Sequence, residues 1–170
     1  MNAPETNQPG SPVSLAAALT AEHHAIDAGI EAFVSRTRGG ETGAGWAEPL
    51  QEAMQALRRH IYIEEELVFP RLRQGPLLMP IMVMYREHGE IWRAMDALDA
   101  QLAQQPDAPA KEELVAACNQ MLELLEQHNL KEEPVIYPHL DSDLDEATQA
   151  QLRDVMDHGK LPDGWVCEKA

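Results

Sequence analysis

Apolar residues recur at three- and four-residue steps through four long stretches of the chain. In the first they are Leu15, Leu19, Ile26, Ile30 and Phe33, and in the second Leu50, Met54, Leu57, Ile61 and Val68. In the third they are Ile81, Met84, Ile91, Met95, Leu98 and Leu102, and in the fourth Leu114, Cys118, Met121, Leu125 and Val135. This is the period of amphipathic helices. Ser11-Pro12 offers an N-cap with proline at the first helical position. The first helix is predicted to run from there to about Arg38, where Gly39-Gly40 ends it. The second runs from about Trp46 to Pro70, the third from about Leu78 to Gln104 with Gln105-Pro106 as its stop, and the fourth from near Pro109 to about Pro138. A short fifth helix over about 143–158 precedes a coil-like end. The pattern predicts an all-α fold, an antiparallel up-and-down four-helix bundle with a short extra C-terminal helix. Residues 1–10 are predicted to be a disordered N-terminal tail, 11–140 the bundle, and 141–170 the C-terminal helix and tail.

Polar residues fill the gaps in these stripes. His23 stands between Leu19 and Ile26, and His88 between Met84 and Ile91. His60 and Glu64 lie between Leu57 and Val68, and His128 and Glu132 between Leu125 and Val135. Each helix therefore turns a histidine inward, and two helices add a glutamate one turn later on the same side. The arrangement repeats within the chain. His60-IYI-Glu64-Glu65-ELV-Phe69-Pro70 matches His128-NLK-Glu132-Glu133-PVI-Tyr137-Pro138 at an offset of 68 residues, and Glu22-His23 matches Glu87-His88 at an offset of 65. The repeat makes His23 the partner of His88. His24, about 100° away round the helix at ~3.6 residues per turn, faces solvent.

Composition narrows the function. The 170 residues fit one domain and carry 13 basic and 29 acidic side chains, a formal charge of −16. Such an excess repels phosphate, which argues against nucleic acid and anionic membranes as partners. Aromatics are 5% of the chain, and Leu, Ala and Met dominate the apolar set, as expected for helices rather than sheets. Cys118 and Cys167 make no disulfide framework, so a reducing, cytoplasmic location is expected. No apolar run approaches the ~20 residues of a membrane span. The start lacks a basic segment followed by an apolar one, so no secretory signal is expected.

Six ionisable groups buried in a bundle core would cost several kcal/mol without compensation. A pair of transition-metal ions supplies it, since imidazole suits Fe, Zn, Cu or Ni and carboxylates bridge cations. His23 and His60 are expected nearer one metal, His88 and His128 nearer the other, with Glu64 and Glu132 between. Six protein groups do not fill two octahedral shells, so water, hydroxide or oxo must complete them and a small ligand can enter.

This series of His, His-x-x-x-Glu, His, His-x-x-x-Glu, with the flanking EELVFP and EEPVIYP segments, resembles the hemerythrin-like family of HHE cation-binding domains over about residues 15–140. The resemblance implies a four-helix bundle with a non-haem di-iron centre and an oxo or hydroxo bridge. It carries over onto His23, His60, Glu64, His88, His128 and Glu132 as metal ligands, with zinc or manganese as other occupants. It also implies a small ligand such as oxygen, nitric oxide or peroxide. Oxygen-carrying members place a histidine where Trp92 stands, and an aspartate five residues after the last histidine, where this chain uses Glu132 at four. The pattern is thus closer to members linked to sensing, nitrosative-stress repair and iron handling. Two other readings stay open: a metal- or redox-sensing module acting through a protein partner, and a peroxide, nitric oxide or iron-centre repair enzyme. No nucleophile–base pair is present, so catalysis would belong to the metals.

Glu22, Glu65, Glu87 and Glu133 adjoin the candidate ligands and read as solvated carboxylates, with acceptance from a ligand imidazole as the alternative. Tyr62, Tyr85 and Trp92 read as packing residues, although Tyr85 lies close enough in sequence to reach a bound metal or ligand. Pro134 should kink the fourth helix. Cys118 reads as an inert core thiol, Cys167 as a tail thiol, and His139 and His158 as surface residues.

Overall fold

Helix α1 spans Leu15–Arg38, and its first turn is tied down from two directions. The Ser14 side chain accepts from the Ala17 N–H at 3.1 Å, while the Asp141 carboxylate accepts from Leu15 and Ala16 at 2.9 and 3.1 Å. These partners start the helix at Leu15, later than Ser11-Pro12 suggests. At the other end Gly40 takes φ +80°. There the Glu41 N–H reaches the Arg36 carbonyl and the Gly40 N–H the Thr37 carbonyl, a left-handed cap that favours glycine. The computed structural model describes residues 13–104 and 107–170, with only the backbone at 108 and 109. The tail at 1–10, the Ser11-Pro12 cap and the Gln105-Pro106 stop lie outside the described residues.

Helix α2 spans Glu48–Ile63 and continues without a break through a π turn, Glu64–Val68, into the short α3, Phe69–Leu72. After a 3₁₀ turn at Gly75–Leu77, α4 runs over Leu78–Ala103 and α5 over Ala108–Val135. The Asp107 side chain caps α5 by accepting from the Ala110 N–H at 3.0 Å. Two short helices follow, α6 at Pro138–Asp143 and α7 at Glu146–His158. α6 is additional to the expected set, and α7 begins only where Asp145 can cap it, through the Thr148 N–H at 2.7 Å. No strand occurs among the described residues. No helix there is long and apolar enough to cross a membrane.

The widened turn has a cause in the repeat. In a regular helix a proline ring clashes with the carbonyl four residues back. Pro70 and Pro138 close the two matched segments, and both segments loosen just before them. The Phe69 N–H donates to the Glu64 carbonyl and the Tyr137 N–H to the Glu132 carbonyl, each five residues back. The second loosening resets the face of the chain. Val135, expected in the core, is 42% exposed, and Ile136 beside it is fully buried.

The apolar core lies in two bodies. One gathers Ile26, Ile30, Phe33, Leu50, Met54, Leu57, Met95, Leu98, Cys118, Met121 and Leu125. The other gathers Leu15, Leu19, Ile63, Phe69, Ile81, Met84, Ile136, Tyr137 and Leu140. The interrupting histidines and glutamates fall between them in every long helix, so a polar layer crosses the bundle. The C-terminal residues do not form a free coil. Trp165 packs edge-on to Trp92 at 5.5 Å and to Tyr62 at 5.3 Å, and Cys167 is buried rather than exposed in a tail.

Candidate metal centre

α1 contributes His23 to the polar layer, the end of α2 His60, the π turn Glu64, α4 His88, and α5 both His128 and Glu132. All six are buried, the two glutamates completely. They form two overlapping groups, His23–His60–Glu64–Glu132 and Glu64–His88–His128–Glu132, with the potential ligand atoms of each within 4.8 Å of one another. The carboxylates belong to both groups because each presents one oxygen to either side. Glu64 Oε1 is 3.0 Å from His60 Nε2, and its Oε2 is 3.2 Å from His88 Nε2. Glu132 Oε1 is 3.4 Å from His23 Nε2, and its Oε2 is 3.3 Å from His128 Nε2.

Outside this ring of Nε2 atoms stands a second ring of carboxylates on Nδ1. Glu22 meets His60 at 2.9 Å, Glu65 meets His88 at 2.9 Å, Glu133 meets His23 at 3.4 Å and Glu87 meets His128 at 3.4 Å. Each supporting glutamate is a sequence neighbour of a candidate ligand, yet supports the imidazole of a different helix. An Nδ1–H that donates to a carboxylate leaves the Nε2 lone pair facing inward and makes it more basic, the usual preparation of a metal-binding histidine. The solvated role expected of these four glutamates is therefore replaced. Glu65 and Glu87 are buried outright. Glu22 is held by Arg59 at 3.2 Å, Glu87 by Lys131, and the second Glu65 oxygen accepts from the Glu168 backbone N–H at 2.9 Å.

Tyr137 is the residue that periodicity missed. Its hydroxyl donates to Glu64 Oε1 at 2.7 Å and lies 3.0 Å from His23 Nε2 and 3.1 Å from His60 Nε2. Its ring stacks on His23 at 5.5 Å, as its repeat counterpart Phe69 stacks on His88 at 5.5 Å. The two stacked rings thus differ by one hydroxyl, and the alignment of Phe69 with Tyr137 was the available signal. Tyr85 turns away to pack edge-on against Phe69 at 5.3 Å. Trp92 is buried beside Trp165 with the Arg58 guanidinium 5.5 Å above its ring. His24 is exposed, as its place off the stripe requires.

Burial pushes the Glu64 carboxyl up, but His60 and His88 hold it well below the usual range. Burial and Glu64 likewise raise Glu132, yet His128 and His23 bring it down overall. Burial lowers the imidazoles of His60, His88 and His128, and the carboxylates more than reverse this. His60 stands well above its ordinary value through Glu64 and Glu22, His88 is raised by Glu64 and Glu65, and His128 rises to about 10 through Glu132. Burial with Glu132 and Glu64 keeps the Tyr137 phenol protonated.

Protons do not fully satisfy this layer. Glu64 Oε2, His88 Nε2 and both Glu132 oxygens are buried without a hydrogen-bond partner, although imidazole nitrogens stand 3.2 to 3.4 Å from these carboxylate oxygens. Orphaned acceptors of this kind are rare in folded proteins. Bare cations would satisfy them from all sides, and imidazole with carboxylate is a borderline donor set that divalent transition metals accept. The residues present therefore fit a metal pair.

Comparison with known families matches residues 14–140 to the hemerythrin HHE cation binding domain. The chain belongs to that family. Searches of curated proteins and of solved structures gave no match. The hemerythrin domain reaches from the Ser14 cap to the end of the second repeat segment, and so encloses the whole polar layer while leaving α7 and the C-terminal residues outside it.

Proposed function

We propose that this hemerythrin domain is an antiparallel up-and-down four-helix bundle that holds two iron ions joined by an oxo or hydroxo bridge. In this reading His23, His60, Glu64 and Glu132 hold one ion and Glu64, His88, His128 and Glu132 the other. The observation that carries it is the pair of shared carboxylates, each with one oxygen on either group, inside a complete ring of Nδ1 supports. Iron bound there would supply a redox-active Lewis acid for oxygen, nitric oxide or peroxide. The protein's own contribution is to fix four Nε2 lone pairs inward, to exclude bulk water with the two apolar bodies, and to hold a proton on Tyr137 Oη beside Glu64 Oε1. Six protein groups leave room for a small exogenous ligand, and a cytoplasmic setting would keep Cys118 and Cys167 reduced.

A second reading, a sensor that signals through a protein partner, draws support from the Glu168 N–H bond to Glu65. That bond ties the C-terminal residues to the imidazole of His88.

Metal analysis with an optical spectrum, on protein purified without added metal, tests the proposal. About two irons per chain with near-ultraviolet charge-transfer bands are expected. A protein that carries only zinc and shows no optical response to oxygen, nitric oxide or peroxide would remove the redox function. His60→Ala and Glu132→Ala should each lose metal and lower Tm, because binding energy is folding energy here, and His24→Ala should do neither. Full metal content in both site variants would overturn the ligand set.

A further inference from the structure

The polar layer is enclosed, and cations must reach it from outside. One surface cleft between α1 and α5 is suited to deliver them. Five carboxylates line it, Asp27, Glu31, Glu123, Glu126 and Glu133, together with His24 and no lysine or arginine. Another cleft that bears carboxylates, lined by Glu22, Glu48 and Glu52, also carries Arg36, Arg58, Arg59 and Lys160, which neutralise it. The α1–α5 cleft, of about 400 Å³, shares two lining residues with the small internal cavity bounded by His23, His60, Glu64, His88 and His128. These are Asp27 and Asn129. Asn129 is 9% exposed, and its Oδ1 has no hydrogen-bond partner. The Asp27 Oδ1 is also buried and unpartnered. Two bare oxygens at the neck between an acidic cleft and a ring of metal-binding groups are placed for a cation in transit. Glu133 continues the line inward, since its carboxylate meets His23 Nδ1.

We propose that the α1–α5 cleft is the uptake path for divalent cations, with Glu31, Glu123 and Glu126 gathering them and Asp27 and Asn129 handing them to the layer between His23 and His128. The proposal rests on the metal-binding function above and adds how the site is loaded. A cleft of one charge sign raises the local concentration of the opposite ion, which speeds association by roughly 10- to 1,000-fold and weakens as salt screens it.

Stopped-flow loading of metal-free protein with cobalt(II), followed by visible absorption, separates rate from final occupancy. Asp27→Asn is expected to slow uptake about tenfold or more while the final cobalt content stays that of the wild type. Asn129→Leu, which plugs the neck with an apolar side chain, should do the same. Should either variant fail to fold, the exposed double variant Glu31→Gln/Glu126→Gln keeps the test open. It should lower the rate and flatten its salt dependence, and Glu48→Gln/Glu52→Gln on the other cleft should change neither. Rates within twofold of wild type in Asp27→Asn and the rim pair would overturn the path, as would equal slowing in the Glu48/Glu52 control. Loss of final occupancy in Asp27→Asn would make Asp27 a ligand instead and also overturn it. A wild-type chain that takes up no cobalt removes the metal-binding function itself, whereas wild-type loading with unaffected variants removes the path alone.

Discussion

Tyr137 shows how one hydroxyl sets apart two half-sites that share one plan of ligands. Tyr137→Phe would make the His23 side resemble the Phe69 side and strip Glu64 Oε1 of its hydroxyl donor. Metal-free protein should lose about 1–3 kcal/mol of stability, as for other buried acceptors left unpaired, with metal content kept. Chemical denaturation and metal analysis check the two parts. The charged residues make a second prediction. His60, His88 and His128 are raised in the folded chain, so the stability they confer is complete below the ordinary imidazole value of about 6.5. It is lost as pH climbs through their folded values, about 10 for His128. Glu64 and Glu132 are lowered, so their contribution holds above about 4.5 and fades as pH falls. Metal-free protein should therefore have a higher Tm at about pH 6 than at about pH 8.5. Loaded protein should show the reverse trend, because metal competes with protons for Nε2. A flat or rising Tm for the chelated protein over that interval would contradict the ion pairs.

Helices were legible where period and chemistry agreed. The four long segments, their inward histidines and the repeat could all be read from spacing, because an interrupted apolar stripe is a local pattern. The start of α1 was not, because part of its cap comes from Asp141, which no local window contains. Asp141→Ala should cost about 1 kcal/mol or more through the freed Leu15 and Ala16 N–H groups, a Tm drop of about 3 °C for a chain of this size. Calorimetry would show it, and an unchanged Tm would mean that water replaces the carboxylate at no cost. The widened turns also escaped periodicity. A register shift at Glu132–Tyr137 exchanges Val135 for Ile136 in the core, and only Pro134 and Pro138 marked the place. The ring of Nδ1 carboxylates could be read only as the alternative to solvation, for a third reason. Each contact joins two helices, so Glu22, Glu65, Glu87 and Glu133 looked like ordinary solvated neighbours until the helices were assembled.

At the scale of the molecule, the C-terminal residues close over the side of the site that faces α4. A Cβ added at Gly89 would collide with the Lys169 carbonyl oxygen and sit 2.8 Å from the Lys169 Cβ, so this glycine is the seat on which the C-terminal segment lies. Arg93 holds the same Lys169 carbonyl at 2.7 Å. Gly89→Ala should lift residues 165–170, expose Trp165 and Cys167, and release the Glu168 N–H from Glu65. Red-shifted tryptophan emission and a thiol newly reactive to a maleimide probe are expected, and unchanged values of both would show that the backbone simply shifts aside.

The supporting carboxylates divide in a telling way. Glu22–His60 and Glu87–His128 lie within one helical pair each, whereas Glu65–His88 and Glu133–His23 cross between the pairs. Every crossing contact has its counterpart in the opposite direction. Two identical copies of either pair, facing one another about a dyad, would supply the same inventory of imidazoles, shared carboxylates and supports. The present chain thus has the chemical plan of a tethered dimer of half-domains, and exchanges such as Phe69 for Tyr137 or Ile61 for Asn129 are what the tether permits and a true homodimer would forbid.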